Sequence, residues 1–333
     1  MDERSAVRLA WLGFALGSAC LAGAATVVAP AFAQSYPSRQ ITLVVPFTPG
    51  TGIDIVARTL GPVLAQRWGQ PVVVENKPGA SGNLGADIVA KSQPHGYTMM
   101  VSVLTFAMTP GVSPNLPYDP INDFTPLAEV ARGGMALVVN PKALPVTSVQ
   151  ELIATAKAKP GALNYASPGN GTAQHLGMEL FKQQLGLDIV HIPYKGTAGA
   201  LADLLGGHVH MYYLPVHNAL PYVQDDKLRV MAVASAKRSI MAPNAPSFQE
   251  LGYANMDIEL WYGIFAPAKL PEPIVQKWES ELSSITALPE VKESLLKQGM
   301  VATYAPSRDF AKTVKDDVVR WRAVVEKAGI KPD

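Results

Sequence analysis

One pattern recurs along this chain: a continuous run of β-branched residues, a glycine-bearing turn, then an amphipathic helix. Its first instance is Ile41-Thr42-Leu43-Val44-Val45, closed by Pro46-Phe47-Thr48-Pro49-Gly50-Thr51-Gly52. In residues 53–68, Ile53, Val56, Ala57, Leu60, Leu64 and Trp68 then fall at helical spacing. A strand apolar on both faces, followed at once by a helix, belongs to a parallel sheet covered on both sides. The pattern returns with a strand at 71–75, a loop from Asn76 through Pro78-Gly79-Ala80-Ser81-Gly82 to Asn83, and a helix at 84–91. A third strand at 97–103 ends near Ser102, Thr105 and Phe106. The turn from Pro46 to Asp54 aims backbone N–H groups and the positive end of a helix dipole at one point, which suits an anion.

Beyond this first half the character changes. Pro110, Pro114, Pro117 and Pro120 argue against regular structure in 110–124 and for a surface crossing. Two strands at 127–131 and 136–140 are separated by Arg132-Gly133-Gly134, which reads either as a hinge or as an ordinary turn. The βα rhythm then resumes with a helix at 148–159, started by Ser148 and Glu151, and a strand at 163–166. Ser167-Pro168-Gly169-Asn170-Gly171-Thr172 opens a helix at 173–185. A strand at 188–193 runs through Tyr194-Lys195-Gly196-Thr197 into a helix at 198–205. Strands at 209–214 and 228–234 flank a helix at 218–223; a strand at 257–265 and helices at 273–285, 290–298 and 308–328 finish the chain. Each half thus carries two Gly-rich turns after strands. In open α/β sheets such turns gather where ligands bind, beyond the carboxyl ends of the strands. Two such edges can face one another across a cleft.

The N-terminus reads as a targeting segment. Arg4 and Arg8 precede an almost wholly apolar run over 9–28 that closes on Ala31-Phe32-Ala33, so residues 1–33 are expected to be a cleaved secretory signal. An uncleaved anchor is the alternative, and Cys20 raises a lipoprotein reading that its preceding Gly17-Ser18-Ala19 fits poorly. The net charge is +1, and it is unchanged when Asp2, Glu3, Arg4 and Arg8 are removed together, so neither nucleic acid nor an anionic surface is indicated. The one cysteine lies in the signal. The remainder is long enough, at roughly two domains' worth, to build its core without disulfides.

No nucleotide loop is present: Gly50, Gly52, Gly79, Gly82 and Gly85 compose neither a phosphate-binding loop nor a dinucleotide fingerprint. No nucleophile elbow is present either. His208 and His210, with His217 nearby, could be zinc ligands, but without Cys or an H-E-x-x-H companion they read better as surface histidines. No metal or cofactor is expected. Asp54 either meets a ligand or complements its own helix, and His175 either reaches the cleft or packs. Lys195 is the best-placed cation or a solvated loop lysine. Thr48, Thr51, Ser102, Thr105, Ser167, Asn170 and Thr172 offer neutral hydrogen-bonding groups at strand ends, each of which could instead cap a helix. Together they fit a site that holds a carboxylate with neutral donors. Phe47, Phe106, Tyr213 and Trp261 are core residues by default, with some able to line a ligand.

An ordered series of motifs resembles the tripartite tricarboxylate transporter solute-binding proteins, also called the Bug receptors. It comprises Val45-Pro46-Phe47 with Pro49-Gly50 and Asp54, Gly69 to Ala80, Gly96-Tyr97-Thr98, and Asn164-Tyr165-Ala166-Ser167 with Gly169-Asn170-Gly171-Thr172 and His175. Ile192-Pro193-Tyr194-Lys195-Gly196, Lys227-Leu228-Arg229 before Ala232-Val233, and Trp261-Tyr262-Gly263-Ile264-Phe265-Ala266-Pro267 complete it. The resemblance implies an α/β, two-lobed periplasmic-binding type II (Venus flytrap) fold with the ligand cleft between the lobes. It implies a discontinuous first domain, 34–133 plus 259–333, and a second at 134–258. By the same resemblance the protein is a periplasmic, non-enzymatic and monomeric receptor that delivers a small organic carboxylate to a membrane permease. Phe47, Thr48, Gly50, Thr51, Ile53, Asp54, Ser102, Thr105, Ser167, Gly169, Asn170, Gly171, Thr172, His175 and Lys195 are its expected ligand-binding residues. The first loop departs from the family's Pro-Gly-Gly-Gly by Thr51, with Ile53 before Asp54, and Leu214 stands where many members carry an acid. A plain mono- or dicarboxylate, aromatic or not, is therefore expected over an amino acid. A sensor for a signalling kinase and a secreted hydrolase are the alternative functions.

Overall fold

The β-branched runs become strands of a mixed sheet. In a computed structural model, which describes residues 36–330, β1 (Ile41–Val45) lies parallel between β2 (Val72–Asn76) and β3 (Thr98–Val103). The crossovers are α1 (Gly52–Trp68) and, after a 3-10 turn at Ala80–Gly82, α2 (Asn83–Ala90). Then come α3 (Thr105–Val112), β4 (Phe124–Val139), α4 (Val149–Ala158), β5 (Asn164–Ser167), α5 (Ala173–Leu185) and β6 (Val190–Pro193). They are followed by α6 (Thr197–Gly206), β7 (Met211–Pro215), α7 (Val216–Gln224), β8 (Arg229–Val233) and β9 (Glu259–Pro267). The chain ends with α8 (Glu272–Thr286), α9 (Pro289–Lys297), β10 (Met300–Pro306) and α10 (Ser307–Ala328). The signal, cleavage and lipoprotein readings on residues 1–33 lie outside the described residues. Among the described residues no helix is long and apolar enough to cross a membrane.

The sheet is two half-sheets sharing one strand. The first part of β4, Phe124 to Gly134, runs antiparallel to β9 and β10; its last part, Met135 to Val139, runs antiparallel to β7 and β8. β1, β2 and β3 join the first half through β9, while β5 and β6 join the second through β7. Each half has its own aromatic core. Phe106, Phe124, Phe265 and Phe310 meet with ring centroids 5.0–6.4 Å apart on one side, and Phe181, Tyr213 and Phe248 do so on the other. Phe310 reaches the sheet because residue 263 is glycine, where a Cβ would fall 2.1 Å from its ring.

Three expectations are corrected. Arg132-Gly133-Gly134 is not a turn between two strands: β4 runs through it unbroken for 16 residues. Gly133 is paired to Leu260 on one side and Met300 on the other, and its missing Cβ accommodates the Tyr262 ring, 3.2 Å away. The glycine signal therefore marked a close approach, not a reversal. The proline-rich stretch is irregular only from Ser113 onward, because α3 extends to Val112 with Pro110 inside it. Pro110 is the sixth helical residue and has no N–H to give Phe106 O, so the helix goes one internal bond short there and ends two residues later. β10 was hidden among helical readings, since Val301 and Tyr304 leave this strand exposed and the alternation that marks a half-buried strand is weak. The histidines also sort differently. β7 begins only at Met211, His210 Nδ1 lies 2.7 Å from Asn164 Oδ1, and His217 is half-buried in α7 with its Nε2 enclosed.

Candidate functional site

Two glycine-bearing loops lie against one cavity of about 240 Å³. Phe47 to Ile53 line it from the β1–α1 connection, and Pro168, Ala173 and Gln174 line it from the β5–α5 connection. Its remaining wall comes from Val103 and Thr105, from Thr197, Ala198 and Leu201, from Pro215 and Asn218, and from Leu260 and Tyr262. Five helices therefore begin at this wall: α1, α3, α5, α6 and α7. Each N-terminus carries roughly half a positive charge on N–H groups that have no intrahelical acceptor. Of the five, only α5 is capped by a side chain, with Thr172 Oγ1 accepting from the His175 N–H at 3.4 Å. Thr51, Leu104, Gly196 and Pro215 make no side-chain cap for α1, α3, α6 and α7. Among the described residues, no acidic or basic side chain lines the cavity. Its electrostatics are thus positive through backbone alone, which favours an anion without a cationic side chain.

The first loop is held from behind. Asp54 accepts from Gly50 N at 2.9 Å, from Arg58 Nε at 3.0 Å and from Asn76 Nδ2 at 2.9 Å. Asn76 Nδ2 also donates to Phe47 O at 3.0 Å. Burial pushes the Asp54 carboxyl up, but the hydrogen bonds from Arg58, Gly50 and Asn76 outweigh it and hold the group below its ordinary range. Asp54 thus ties the turn to its own helix and to β2, off the cavity wall. Thr51 Oγ1 donates to Thr48 O at 2.9 Å, and Gly50 has φ +81°, the left-handed conformation the turn requires. The loop rests on two further glycines: a Cβ at Gly82 would meet Phe47 at 2.9 Å, and one at Gly85 would meet Pro46 at 2.7 Å.

The second loop stands on a column of rings. Tyr165, His191 and His175 stack in order, with centroids 4.8 and 4.1 Å apart, and Ser167 Oγ lies 2.7 Å from His191 Nε2. Gly171 N donates to His175 Nδ1 at 3.1 Å, and Thr172 Oγ1 donates to Gly169 O at 2.8 Å. Burial, with Lys182 nearby, pushes the His175 imidazole down to about 4, so it is a neutral acceptor at neutral pH. Bonds to the other half-sheet include Ser81 Oγ donating to Asn170 O at 2.8 Å and Ala173 N donating to Thr105 Oγ1 at 3.4 Å.

Among the expected site residues, Phe47, Thr48, Gly50, Thr51, Ile53 and Thr105 form cavity wall. Asp54, Ser167, Gly169, Asn170, Gly171, Thr172 and His175 lie behind it and shape the two loops. Ser102 is buried in β3 opposite Gly263, and Lys195 is exposed on the loop before α6. Of the four aromatics, Phe47 alone is on the wall; Trp261 donates its Nε1–H to Asp317 at 2.8 Å. Gln174, Thr197, Asn218 and Tyr262 were missed. The first three are at or near helix starts that follow strands, so the strand-end rule applied to every turn of the second half would have reached them. Tyr262 carries no such signal.

Two half-sheets that share a strand, with a cavity lined by loops from both, are the architecture of a two-lobed periplasmic binding protein of type II, the ligand cleft lying between the lobes. The solved periplasmic binding protein BugD has this fold and matches with a TM-score of 0.83 at 32% identity, over 90% of this chain and 100% of that one. A structure described as R. palustris Rpa4515 with adipate matches with a TM-score of 0.84 at 34% identity over 90% and 100% of the two chains. BugT of Bordetella pertussis is 36% identical over 312 residues, 92% of this chain and 94% of its own length. The profile described as tripartite tricarboxylate transporter family receptor matches residues 56–330. The chain belongs to this family of periplasmic solute-binding receptors.

Proposed function

We propose that the protein captures a small organic dicarboxylate between its lobes and delivers it to a membrane permease of a tripartite tricarboxylate transporter. The observation that carries this reading is the convergence of five helix N-termini on a cavity without a charged side chain. One carboxylate is held where α1 and α5 begin, and a second where α6 and α7 begin. Val103, Leu201 and Leu260 supply apolar wall for the carbon chain between them. A cavity of about 240 Å³ is near the small end of ligand pockets, typically about 300–1,000 Å³, and suits a ligand of adipate's size, the diacid bound by the Rpa4515 relative. No carboxylate stands on the wall to pair with an ammonium group, which disfavours an amino acid, and the wall's hydroxyls have no base beside them for hydrolysis. Of the expected ligand-binding residues, Ser102 and Lys195 have no part in this reading. The wall residues contact the ligand directly, while those behind the wall hold the loops. The change of partners along β4 after Gly134 supports lobes of 34–133 plus 259–333 and of 134–258.

Calorimetry with unbranched diacids from succinate to suberate, their monoamides and the acidic amino acids tests this. A diacid should bind at least tenfold more tightly than its monoamide; preference for an amino acid would overturn the assignment. A second expectation concerns release. Ser81 adopts φ +54° and spans the two halves through its bond to Asn170 O. Ser81→Ala removes that bond and should raise the dissociation rate about three- to tenfold with little change in association. Stopped-flow displacement reads both rates, and an unchanged dissociation rate would show that the bond does not hold the closed form.

A further inference from the structure

One hydroxyl on the cavity wall is buried without an answering group among the described residues. Tyr262 lies in β9 opposite Val103 of β3 and Ala131 of β4, and its residue is 1% exposed. Its phenol oxygen has no hydrogen-bond partner, although the residue forms part of the cavity wall. Native proteins seldom leave a buried polar group unpaired unless it serves something else. Other buried atoms share this condition among the described residues, His217 Nε2 and Trp321 Nε1 included, but Tyr262 alone of them is on the cavity wall.

Two glycines admit the ring. A Cβ at Gly52 would fall 2.6 Å from the phenol oxygen, and one at Gly133 would fall 3.2 Å from the ring. Neither glycine has positive φ, so space and not backbone conformation excludes a side chain at both positions. The phenol oxygen is thereby brought to the first turn of α1, whose N-cap Thr51 spends its hydroxyl on Thr48 O. Burial holds the phenol well above its ordinary range, so it is a protonated donor. The phenol O–H and the first-turn N–H groups of α1 are donors, and the group that satisfies donors without offering one is an ionised carboxylate.

We propose that Tyr262 is a specificity-determining ligand contact, its hydroxyl donating to the carboxylate oxygen held at the start of α1. This rests on the carboxylate reading above and deepens it, by assigning the preference for an acceptor-only anion to one side chain. Tyr262→Phe removes the oxygen and keeps the ring between Gly52 and Gly133. The probe is adipate, or whichever unbranched diacid the wild-type protein binds most tightly. Its affinity should fall about ten- to hundredfold, the loss expected for a hydrogen bond to a charged group. The preference for diacid over monoamide should shrink in parallel, and the unliganded melting temperature should hold or rise because an unpaired buried hydroxyl is gone. Equal affinity in wild type and Tyr262→Phe would overturn the proposal while leaving the carboxylate reading intact. A lower unliganded melting temperature with an unchanged diacid-to-monoamide ratio would assign Tyr262 a structural role and overturn it as well. Failure of the wild-type protein to bind any diacid would instead sink the reading itself, and the proposal with it.

Discussion

Gly171→Val is expected to weaken diacid binding a hundredfold or more while the unliganded protein still folds. The backbone at Gly171 has φ +72°, and a Cβ built there falls 2.2 Å from Val112 Cγ2, far inside contact distance. Val112 cannot retreat: it is 3% exposed, at the end of α3. A β-branched residue thus meets two penalties, a left-handed backbone costing roughly 1–2 kcal/mol and an overlap with a side chain of the opposite half-sheet. The second is relieved only by moving the second loop away from α3. That motion breaks the Gly171 N–H bond to His175 and the Ser81 bond to Asn170, and it opens the cavity wall. Each half keeps its own aromatic core, so the stability loss should stay within about 1–3 kcal/mol. Calorimetry with the tightest-binding diacid and a urea titration of the unliganded variant separate the two effects. Affinity within threefold of wild type would show that the loops need not approach as closely as they do here.

The same glycine shows what was legible in the sequence and what was not. Local chemistry speaks in runs. A β-branched strand, a turn with glycine and a helix with a 3.6 period are contiguous, so β1 to α1 and β5 to α5 were readable, and with them the two loops of the cavity. A glycine's reason for being small is instead often on another element. Gly52 and Gly133 are small because Tyr262 passes between them, Gly82 and Gly85 because Phe47 and Pro46 sit on them, and Gly133 was therefore misread as a turn signal. Tyr262 is 210 positions from Gly52 in the chain, and no periodicity links them. β4 lost its continuity for the same reason: its pairing changes from β9 and β10 to β7 and β8 without any change in the strand's own residues. The column of Tyr165, His191 and His175 is likewise a stack of three elements, visible only once β5, β6 and α5 are placed.

Acid should dismantle the protein over a narrow range, and the second loop should fail with it. Burial, with Lys182 adding to it, pushes His175 down to about 4, and burial alone pushes His217 to about 4, from an ordinary value of 6.5. A group whose native pKa is depressed binds fewer protons folded than unfolded between the two values. Its contribution is therefore complete above about pH 6.5 and is lost as pH falls toward 4. Each histidine should cost on the order of 3 kcal/mol of stability by pH 4, so the pair removes a large share of a typical domain's roughly 5–15 kcal/mol. For His175 the loss has a local address. Its Nδ1 accepts the Gly171 N–H, so protonation sets two donors against each other beneath the loop, next to the stacked ring of His191. Diacid affinity should therefore fall with stability below about pH 5. His175→Asn places a carbonyl oxygen where Nδ1 stands, without a titratable proton, and should remove about half of the stability loss between pH 6.5 and 4. Urea titrations across that range, for wild type and variant, measure the slopes, and parallel slopes would show that His175 does not carry this dependence.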